Sequence, residues 1–525
     1  MISSTAFDAT DQGLFANRPL SSAKVASAFS VVTMAPTDPH PETSDLGFLS
    51  ATQLAERLTA GTLTSMEIVT GLLERIAAID AATSSTALRS ILAISEDVLE
   101  QAQTSDARRN AGVRLSAFDG IPIAVKDNIE AVGLPSTAGA TALLGRPHGD
   151  AELVTQLREA GLIILGASNL SEWANLRSPN SASGWSAVGG LTANPWATDR
   201  SAGGSSSGSG AALAAGLTPL AIGTETDGSI VCPSSLNGVV GIKPTVGTIS
   251  TNGVVPLSSS QDSPGPMART VEDVKTLFSI LVGDQTQLSQ AEPPLTAAVA
   301  TTWKTGHAKT DALFADAIED LRRAGLSLID RDVALPSDQD QDDELTVLLC
   351  EMDDDLSAYL SQREGTPKNL HQVLAFEDAH RDVELAHFGH EFFEQARALG
   401  GRSAATYAEA RQRNLSWAVT TCLEPALDGV HVLLAPTYGP AWKQDLILGE
   451  HGAKAAPTTM APAIAGWPIA CLPMGLVDGM PVGLGLIGRP GDEQKILDFA
   501  SEIEQVLNLR GSGAFSPTFA APRRG

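Results

Sequence analysis

Two turns rich in glycine and serine hold the residues of this chain that are best suited to chemistry. The first, residues 203–207, reads Gly-Gly-Ser-Ser-Ser, and the second, residues 223–229, reads Gly-Thr-Glu-Thr-Asp-Gly-Ser. A helix-like run at 211–215 and a strand-like run at 217–222 lie between them. Backbone N–H groups in small-residue turns can approach a ligand closely and point at negative charge. The pattern therefore predicts a site for a phosphate or for an oxyanion.

Three other interpretations of the first turn have to be considered. A phosphate-binding loop is excluded because no Gly-Lys-Ser/Thr follows the turn. Residues 204–208 match a nucleophile elbow in form, but the preceding run 195–200 is too polar to be the buried strand that an elbow requires. A solvent-exposed Ser/Gly loop remains, and the second turn and an upstream lysine weigh against it.

That lysine, Lys126, ends an apolar, partly β-branched run that starts at Ile121. Burial lowers the pKa of a lysine amine toward the range in which it can act as a base. A lysine at a strand end can also extend its amine into water, and the run alone favours this alternative.

Taken together, the three elements resemble the amidase signature family, in its order and at its spacing. The resemblance extends over roughly residues 46–509 and is carried by seven segments: 122–128, 203–207, 223–230, 238–245, 465–468, 473–475 and 481–483. It implies an α/β fold, with one large domain at 46–510 whose central twisted mixed sheet is covered by helices. The flanking residues 1–45 and 511–525 are then tails, and 295–413 is the variable substrate-side region.

The resemblance also implies roles for individual residues. Ser229 would be the nucleophile, Ser205 a bridging serine that follows a cis peptide bond, and Lys126 the base. The oxyanion hole would be formed by the backbone N–H groups of three residues, Thr226, Asp227 and Gly228. Asp227 stands where many relatives carry glycine, and a carboxylate pointing at an oxyanion would be unfavourable. We therefore expect Asp227 to point away or to pair with a positive group.

Several segments look similar to peptide amidases, which remove the terminal amide from C-terminally amidated peptides. They are the Thr-Glu-Thr-Asp-Gly-Ser run and residues 168–174, 183–186, 355–360 and 434–442. The implied reaction releases ammonia and needs neither metal nor cofactor. Trp185 and Tyr438 are candidate substrate contacts, whereas Trp173 is expected to pack beneath the catalytic loop.

Three alternatives stay open. The chain could hydrolyse small aliphatic or aryl amides, or it could be the amidase subunit of a tRNA-dependent amidotransferase, which requires a second protein as its partner. It could also be a non-catalytic binding protein on the same scaffold.

Composition limits the partners and the compartment. The 525 residues carry a net charge of −26, which argues against nucleic acid or an anionic membrane as a partner, and 43% hydrophobic with 18% charged residues indicates a globular protein. We expect a monomer or homodimer that binds a small-molecule or peptide amide. Residues 1–45 open with Asp8 and Asp11 instead of cations, which argues against a signal peptide, and Met34 could start a shorter chain. The four cysteines, Cys232, Cys350, Cys422 and Cys471, lack metal-binding spacing and are interpreted as reduced thiols in a cytoplasmic protein.

Helix signals surround these motifs. Ser50 with Gln53, and Thr64 with Glu67, fit capping boxes. A strand and a helix are expected within 90–107, a helix at 151–160, and a buried strand at 162–165 that ends at Gly166. The acidic runs 338–344 and 351–355 are interpreted as solvated surface, and no metal is assigned to His387, His390 and Glu391.

Overall fold

The computed structural model describes residues 46–81, 84, 87–145, 147, 149–283, 295–512 and 515–519. The predicted N-terminal tail 1–45 lies outside the described residues, as do 513–514 and 520–525 of the predicted C-terminal tail. Residues 515–519 lie against the body of the protein. Phe515 is buried, with its ring 5.0 Å from that of Trp196 between centroids, and the Phe519 N–H donates to Pro195 O.

A mixed, eleven-stranded sheet forms the centre of the described chain. Its strands, in chain order, are β1 (Ile91–Ile94), β2 (Pro122–Lys126), β3 (Ile163–Ser168), β8 (Leu220–Glu225), β9 (Val240–Lys243), β10 (Ser263–Ala268), β11 (Thr296–Ala300), β12 (Ser327–Arg331), β13 (Val432–Pro436), β14 (Ile469–Val477) and β15 (Met480–Ile487). Across the sheet they lie in the order β1-β3-β2-β8-β10-β9-β14-β15-β13-β11-β12. Two short ribbons lie outside it, β4 (Trp185–Ser186) with β5 (Gly190–Leu191) and β6 (Ala193–Asn194) with β7 (Ala197–Ser201).

Helices cover this sheet. They are α1 (Ala51–Thr59), α2 (Ser65–Ile79), α3 (Val98–Asn110), α4 (Glu152–Glu159), α5 (Ser207–Ala214), α6 (Val231–Asn237), α7 (Val271–Val282), α8 (Ala308–Arg323), α9 (Asp338–Gln362), α10 (Leu370–Ala379), α11 (Glu391–Leu399), α12 (Ala405–Leu415), α13 (Glu424–Ala426), α14 (Met460–Ala465) and α15 (Glu493–Leu507). A π-helical segment, Ser416–Leu423, joins α12 to α13.

Both faces of the sheet are packed. Successive residues of one strand point to opposite faces. On β13, Leu434 belongs to one large hydrophobic cluster, and its neighbours Leu433 and Ala435 belong to another. The first cluster includes α1, α2, α4, α7 and α15, and the second includes α14 and the π-helical segment. The predicted α/β architecture, with a mixed central sheet under helices, is thereby confirmed.

Local signals specify several elements correctly. Both capping boxes are present, at Ser50 for α1 and at Thr64 for α2. The strand and helix expected within 90–107 are β1 and α3, and the helix expected at 151–160 is α4. The strand expected to end at Gly166 continues to Ser168, because β3 pairs with β2 as far as the pair Lys126 and Ser168.

The region between the two serine turns differs from the sequence prediction. The helix begins at Ser207 instead of 211, and the strand occupies Leu220–Glu225 instead of 217–222. The glycines in the first turns of this helix allow neighbouring segments to pack closely against it. A Cβ on Gly208 would lie 2.3 Å from Ser90 O, so only glycine fits against that backbone.

The prediction that both acidic runs are solvated surface is wrong for part of α9. Asp343, Glu344, Glu351 and Asp353 are buried. Asp343 accepts two hydrogen bonds from Arg413, at 2.6 and 2.7 Å, and Glu351 accepts one from Ser258 Oγ at 2.6 Å. These partners come from distant parts of the chain, so the local charge pattern could not indicate them.

All four cysteines are buried and free. None of the helices in the described ranges is both long and apolar enough to cross a bilayer.

The start of α1 depends on a carboxylate of α7. Asp273, fully buried, accepts hydrogen bonds from the N–H groups of Ala51 and Thr52, each at 2.9 Å. Since buried donors without a partner cost about 1–3 kcal/mol, Asp273→Ala is expected to accelerate amide hydrogen exchange in α1. Exchange measured by mass spectrometry tests this, with Glu272→Ala, an exposed neighbour, as the control. Equal exchange in both variants would contradict the assigned cap.

Candidate active site

Lys126 lies at the carboxyl end of β2, where it meets β8. The two strands run parallel, with Val125 opposite Ile222, so Lys126 and Thr224 reach the same edge of the sheet. The Lys126 side chain is fully buried. Its Nζ lies 2.8 Å from Ser205 Oγ, 2.8 Å from Thr224 Oγ1 and 3.2 Å from Thr224 O. The alternative in which this lysine reaches water is not the arrangement observed.

Burial lowers the pKa of the Lys126 amine to about 7. The carboxylates of Asp262 and Glu225 oppose this shift, but they do not cancel it. Asp262 is itself held in place by Thr226 Oγ1, at 2.6 Å, and by the N–H groups of Leu257 and Ser258. A large fraction of the Lys126 amine is therefore neutral near pH 7.

The first serine turn places Ser205 against Lys126. The peptide bond between Gly204 and Ser205 is cis, as the resemblance implies. Ser205 is fully buried, and its carbonyl accepts a hydrogen bond from the N–H of Ser171 at 3.0 Å. Gly204 cannot be replaced without movement, because a Cβ there would lie 2.3 Å from Ser171 Oγ.

The second turn runs from the end of β8 to the start of α6 and carries Ser229. Glu225, buried at the end of β8, accepts hydrogen bonds from the N–H groups of Ile230, at 2.6 Å, and Val231, at 2.9 Å. Its carboxylate thus caps α6 and closes the loop. The Ser206 N–H donates to Ser229 O at 3.1 Å, which joins the two serine turns directly.

Two hydrogen bonds hold the loop 226–228 in place. The Thr226 hydroxyl donates to Asp262, and the Gly228 carbonyl accepts from the Cys232 N–H at 2.7 Å. Gly228 has φ of +76°, and a Cβ there would lie 2.6 Å from the Tyr438 hydroxyl oxygen. The shape of this loop, which also carries the N–H groups of Thr226 and Asp227, therefore requires glycine at position 228.

Asp227, which was expected to point away or to pair with a positive group, belongs to the wall of the cavity described below. Its carboxylate accepts a hydrogen bond from the Thr459 side chain, and its Oδ1 is buried. The pKa of the Asp227 carboxyl is raised to about 6, mainly by burial and also by Glu225, against the hydrogen bond from Thr459 and the charge of Lys243. The Lys243 amine itself donates a hydrogen bond to Pro244 O.

A cavity of about 340 Å³ opens onto these turns. Gly204 and Ser229 form part of its wall, together with Thr226 and Asp227. The rest of the wall consists mainly of apolar and aromatic side chains with a few polar groups: Ala174, Asn175, Leu176, Ser183, Cys232, Leu257, Leu348, Tyr438, Trp442, Glu450 and Ala453. The cavity therefore meets the serine turns at Ser229, with Lys126 and Ser205 buried behind them.

The three aromatic candidates differ in position. Tyr438 lines the cavity. Trp185 is buried outside the cavity wall, with its ring edge-to-face against Phe388 at 5.0 Å between centroids. Trp173 packs edge-to-face against Phe393, and its indole N–H donates to Glu377 Oε1 at 3.1 Å.

Three buried carboxylates, those of Glu172, Glu377 and Glu384, come within 4.8 Å of one another and could in principle hold a metal ion. The guanidinium of Arg177 already lies among them, bonded to Glu172 and 3.9 Å from each of the other two. His390, which was not assigned to a metal, bonds Glu377 Oε2 through Nδ1 at 2.8 Å. The cluster fits an arginine-centred charge network better than it fits a cation site.

Sequence reasoning missed several residues around the site. Thr224 contacts Lys126, and Asn128 donates to Thr224 Oγ1 at 2.9 Å. Asn128 could have been predicted from the sequence as a site residue, because it follows the lysine by only two positions. Trp442 and Glu450 also line the cavity. Trp442 ends the segment 434–442 that looks similar to peptide amidases, but no role was predicted for it, and no pattern marks Glu450.

Comparisons with known proteins identify the family. A family model described as Amidase matches residues 67–497. A glutamyl-tRNA(Gln) amidotransferase subunit from Symbiobacterium thermophilum is 34% identical over 495 residues, which cover 87% of this chain and 96% of that protein.

Solved structures are also similar. The native peptide amidase from Stenotrophomonas maltophilia has 36% identity and a TM-score of 0.82, over 90% of this chain and 98% of its own. An amidase family protein from Bacillus anthracis has 26% identity and a TM-score of 0.79, over 91% and 93% of the two chains.

The mixed sheet and the matched motifs define an enzyme of the amide-hydrolysing class. The chain belongs to the amidase family, and specifically to the amidase signature family. Peptide amidase is among its most similar solved structures.

Gly228 offers a test of the loop. Gly228→Ala would push the loop away from Tyr438 and displace its N–H groups, and loss of one oxyanion donor typically costs about 10²–10³-fold in kcat. We expect a loss of that order in amide hydrolysis. Gly247→Ala is the matched control, since Gly247 also has a positive φ of +87° but a Cβ at this position would have no atom within 4 Å. Comparable activity in the two variants would show that the shape of the 226–228 loop is unimportant.

Proposed function

We propose that this protein hydrolyses the C-terminal amide of peptides through an acyl-enzyme on Ser229, with Ser205 and Lys126 as its proton relay. The observation that carries the proposal is the contact between Lys126 Nζ and Ser205 Oγ, at 2.8 Å, buried directly behind the cavity wall at Ser229. Amide hydrolysis needs a nucleophile, a base, an acid for the leaving nitrogen and donors for the oxyanion.

The contacts of Lys126 suit a neutral amine. A neutral amine has two N–H donors and one lone pair. The two donors satisfy Thr224 O and Thr224 Oγ1, at 3.2 and 2.8 Å. The lone pair is then left for the hydroxyl hydrogen of Ser205, which makes Lys126 the base at the end of the relay.

The first half-reaction forms the acyl-enzyme. Ser229 Oγ attacks the amide carbon while its proton passes to Ser205 and the proton of Ser205 passes to Lys126. The carbonyl oxygen becomes an oxyanion against the N–H groups of the 226–228 loop. The relay then returns a proton to the amide nitrogen, the C–N bond breaks, and ammonia leaves.

The second half-reaction regenerates the enzyme. Water attacks the ester of Ser229 and passes a proton to the same relay. The C–O bond to Ser229 breaks, Ser229 recovers its hydrogen, and a carboxylic acid is released. One amide and one water therefore give one acid and one ammonia, without any redox step.

Two features support a peptide amide as the substrate. The cavity, at about 340 Å³, falls in the range of small-ligand sites, and its apolar wall suits an amino-acid side chain. The similarity to peptide amidase covers 88–90% of this chain. The similarity to an amidotransferase component supports the second candidate, in which ammonia from glutamine passes to a partner.

The relay predicts a pH dependence. The protonated form of Lys126 cannot accept a proton, so its pKa of about 7 sets the acid limb of the rate profile. For an N-acetylated peptide amide, kcat/KM is expected to rise about tenfold per pH unit below pH 7 and to level off above it. Asp262→Asn removes a carboxylate that raises the pKa of Lys126, so its profile should move to lower pH. A profile that stays flat from pH 5 to 9 is incompatible with Lys126 as the base.

The substrate is tested by ammonia release from the purified chain alone. N-acetyl-Ala-Leu-amide should be turned over in preference to propionamide, benzamide and glutamine, with no tRNA present. Ser229→Ala should abolish turnover, and Lys126→Met should lower it by about 10²–10⁴-fold, as expected for loss of a general base.

Other outcomes point to other functions. Turnover of the small amides without the peptide would keep the relay and replace the substrate. Glutamine hydrolysis that requires a second protein would favour the amidotransferase role. A wild-type chain that turns over no amide and leaves Ser229 unlabelled by a serine-directed probe would indicate a binding protein.

A further inference from the structure

The cavity wall has an uneven distribution of charge. Two of its side chains, Asp227 and Glu450, are acidic, and none of the described residues that line it is basic. A neutral peptide amide does not require this arrangement. A carboxylate beside a developing oxyanion raises the energy of the transition state unless a positive charge offsets it.

Both carboxylates have neutral hydrogen-bond donors. Glu450 accepts the N–H of Ser183 through Oε1 and also a hydrogen bond from the Trp442 side chain. Asp227 accepts a hydrogen bond from the Thr459 side chain. Neither carboxylate faces a basic side chain among the described residues of the cavity wall, so a cationic group of the substrate would supply the missing positive charge.

Two aromatic rings complete the same wall. Tyr438 and Trp442 line the cavity beside the carboxylates. Burial raises the pKa of the Glu450 carboxyl, and hydrogen bonds from Ser183 and Trp442 oppose this. Aromatic faces attract cations, and guanidinium groups stack on them particularly well. Carboxylates combined with aromatic rings are suited to recognising an organic cation.

We propose that Glu450, Asp227, Tyr438 and Trp442 select peptide amides whose amidated residue is basic, arginine or lysine. The proposal rests on the amide hydrolysis proposed above and names its preferred substrate. It gives Asp227 a role, since a cationic side chain in the cavity would compensate the carboxylate next to the oxyanion. It also favours product release, because hydrolysis creates a carboxylate that the same wall repels.

The charge of the whole protein agrees with this preference. A net charge of −26 raises the local concentration of cationic ligands and disfavours anionic ones. The preference should therefore weaken as salt is added, because screening reduces attraction at a distance.

The test compares arginine with citrulline, a neutral analogue of nearly the same shape. For the wild-type chain, kcat/KM for N-acetyl-Ala-Arg-amide should exceed that for N-acetyl-Ala-citrulline-amide on the order of tenfold to a hundredfold, the size expected of a charge-assisted contact. Glu450→Gln keeps an acceptor for Ser183 and removes the charge. It should reduce this ratio by about tenfold, mainly through KM for the arginine substrate. Glu409→Gln, at an exposed carboxylate on α12, should leave the ratio unchanged.

The outcomes separate the two proposals. No turnover of any peptide amide would overturn the proposed function and this inference with it. Equal turnover of both substrates by the wild type would overturn the inference alone, and so would an equal loss of both in Glu450→Gln, which would mark a purely structural role. Free leucinamide compared with N-acetyl-leucinamide distinguishes the source of the cation. A preference that follows the α-ammonium group instead of the basic side chain would also overturn the proposal.

Discussion

The burial of one amine organises this site. A lysine that has lost contact with water must either find partners that accept its charge or become neutral. Lys126 is given hydroxyl and carbonyl oxygens by Ser205 and Thr224, and no carboxylate bonds its Nζ in the described chain. Asp262 and Glu225 act on it only at longer range. The balance leaves an amine with a pKa of about 7, and it depends on β2 and β8 being adjacent parallel strands.

The second requirement is a rigid loop, and Glu225 provides much of its rigidity. A carboxylate at the end of β8 that bonds two N–H groups at the start of α6 closes the loop between them. The closed loop can then present N–H groups of its own inward. Negative charge at the N-terminus of a helix is electrostatically favourable, so the cap and the helix stabilise one another. The pKa of Glu225 is raised by burial and lowered by Lys243, which places a second buried lysine in the support of the same loop.

How much could be predicted from the sequence follows from the range of each interaction. Capping boxes such as Ser50 with Gln53 operate over three residues and were identified correctly. The sheet architecture followed from a family resemblance, and the contact of Lys126 with Ser205 joins two segments of that resemblance. Burial of Asp343 depends on Arg413, seventy positions away, and therefore escaped a local interpretation of charge. Glu450 could not be identified either, because its place in the cavity wall depends on how the loop that carries it packs against distant residues.

A buried charge network also links helix α10 to the first serine turn. Helix α10 contributes Glu377, which lies with Glu172 and Glu384 around the Arg177 guanidinium, fully buried. Glu172 in turn accepts the N–H of Ala187, and its neighbour Ser171 donates to Ser205 O. Removing one partner of a buried charge network leaves an uncompensated charge, which is strongly destabilising. The charged groups around Arg177 are therefore constrained together with the position of Ser205.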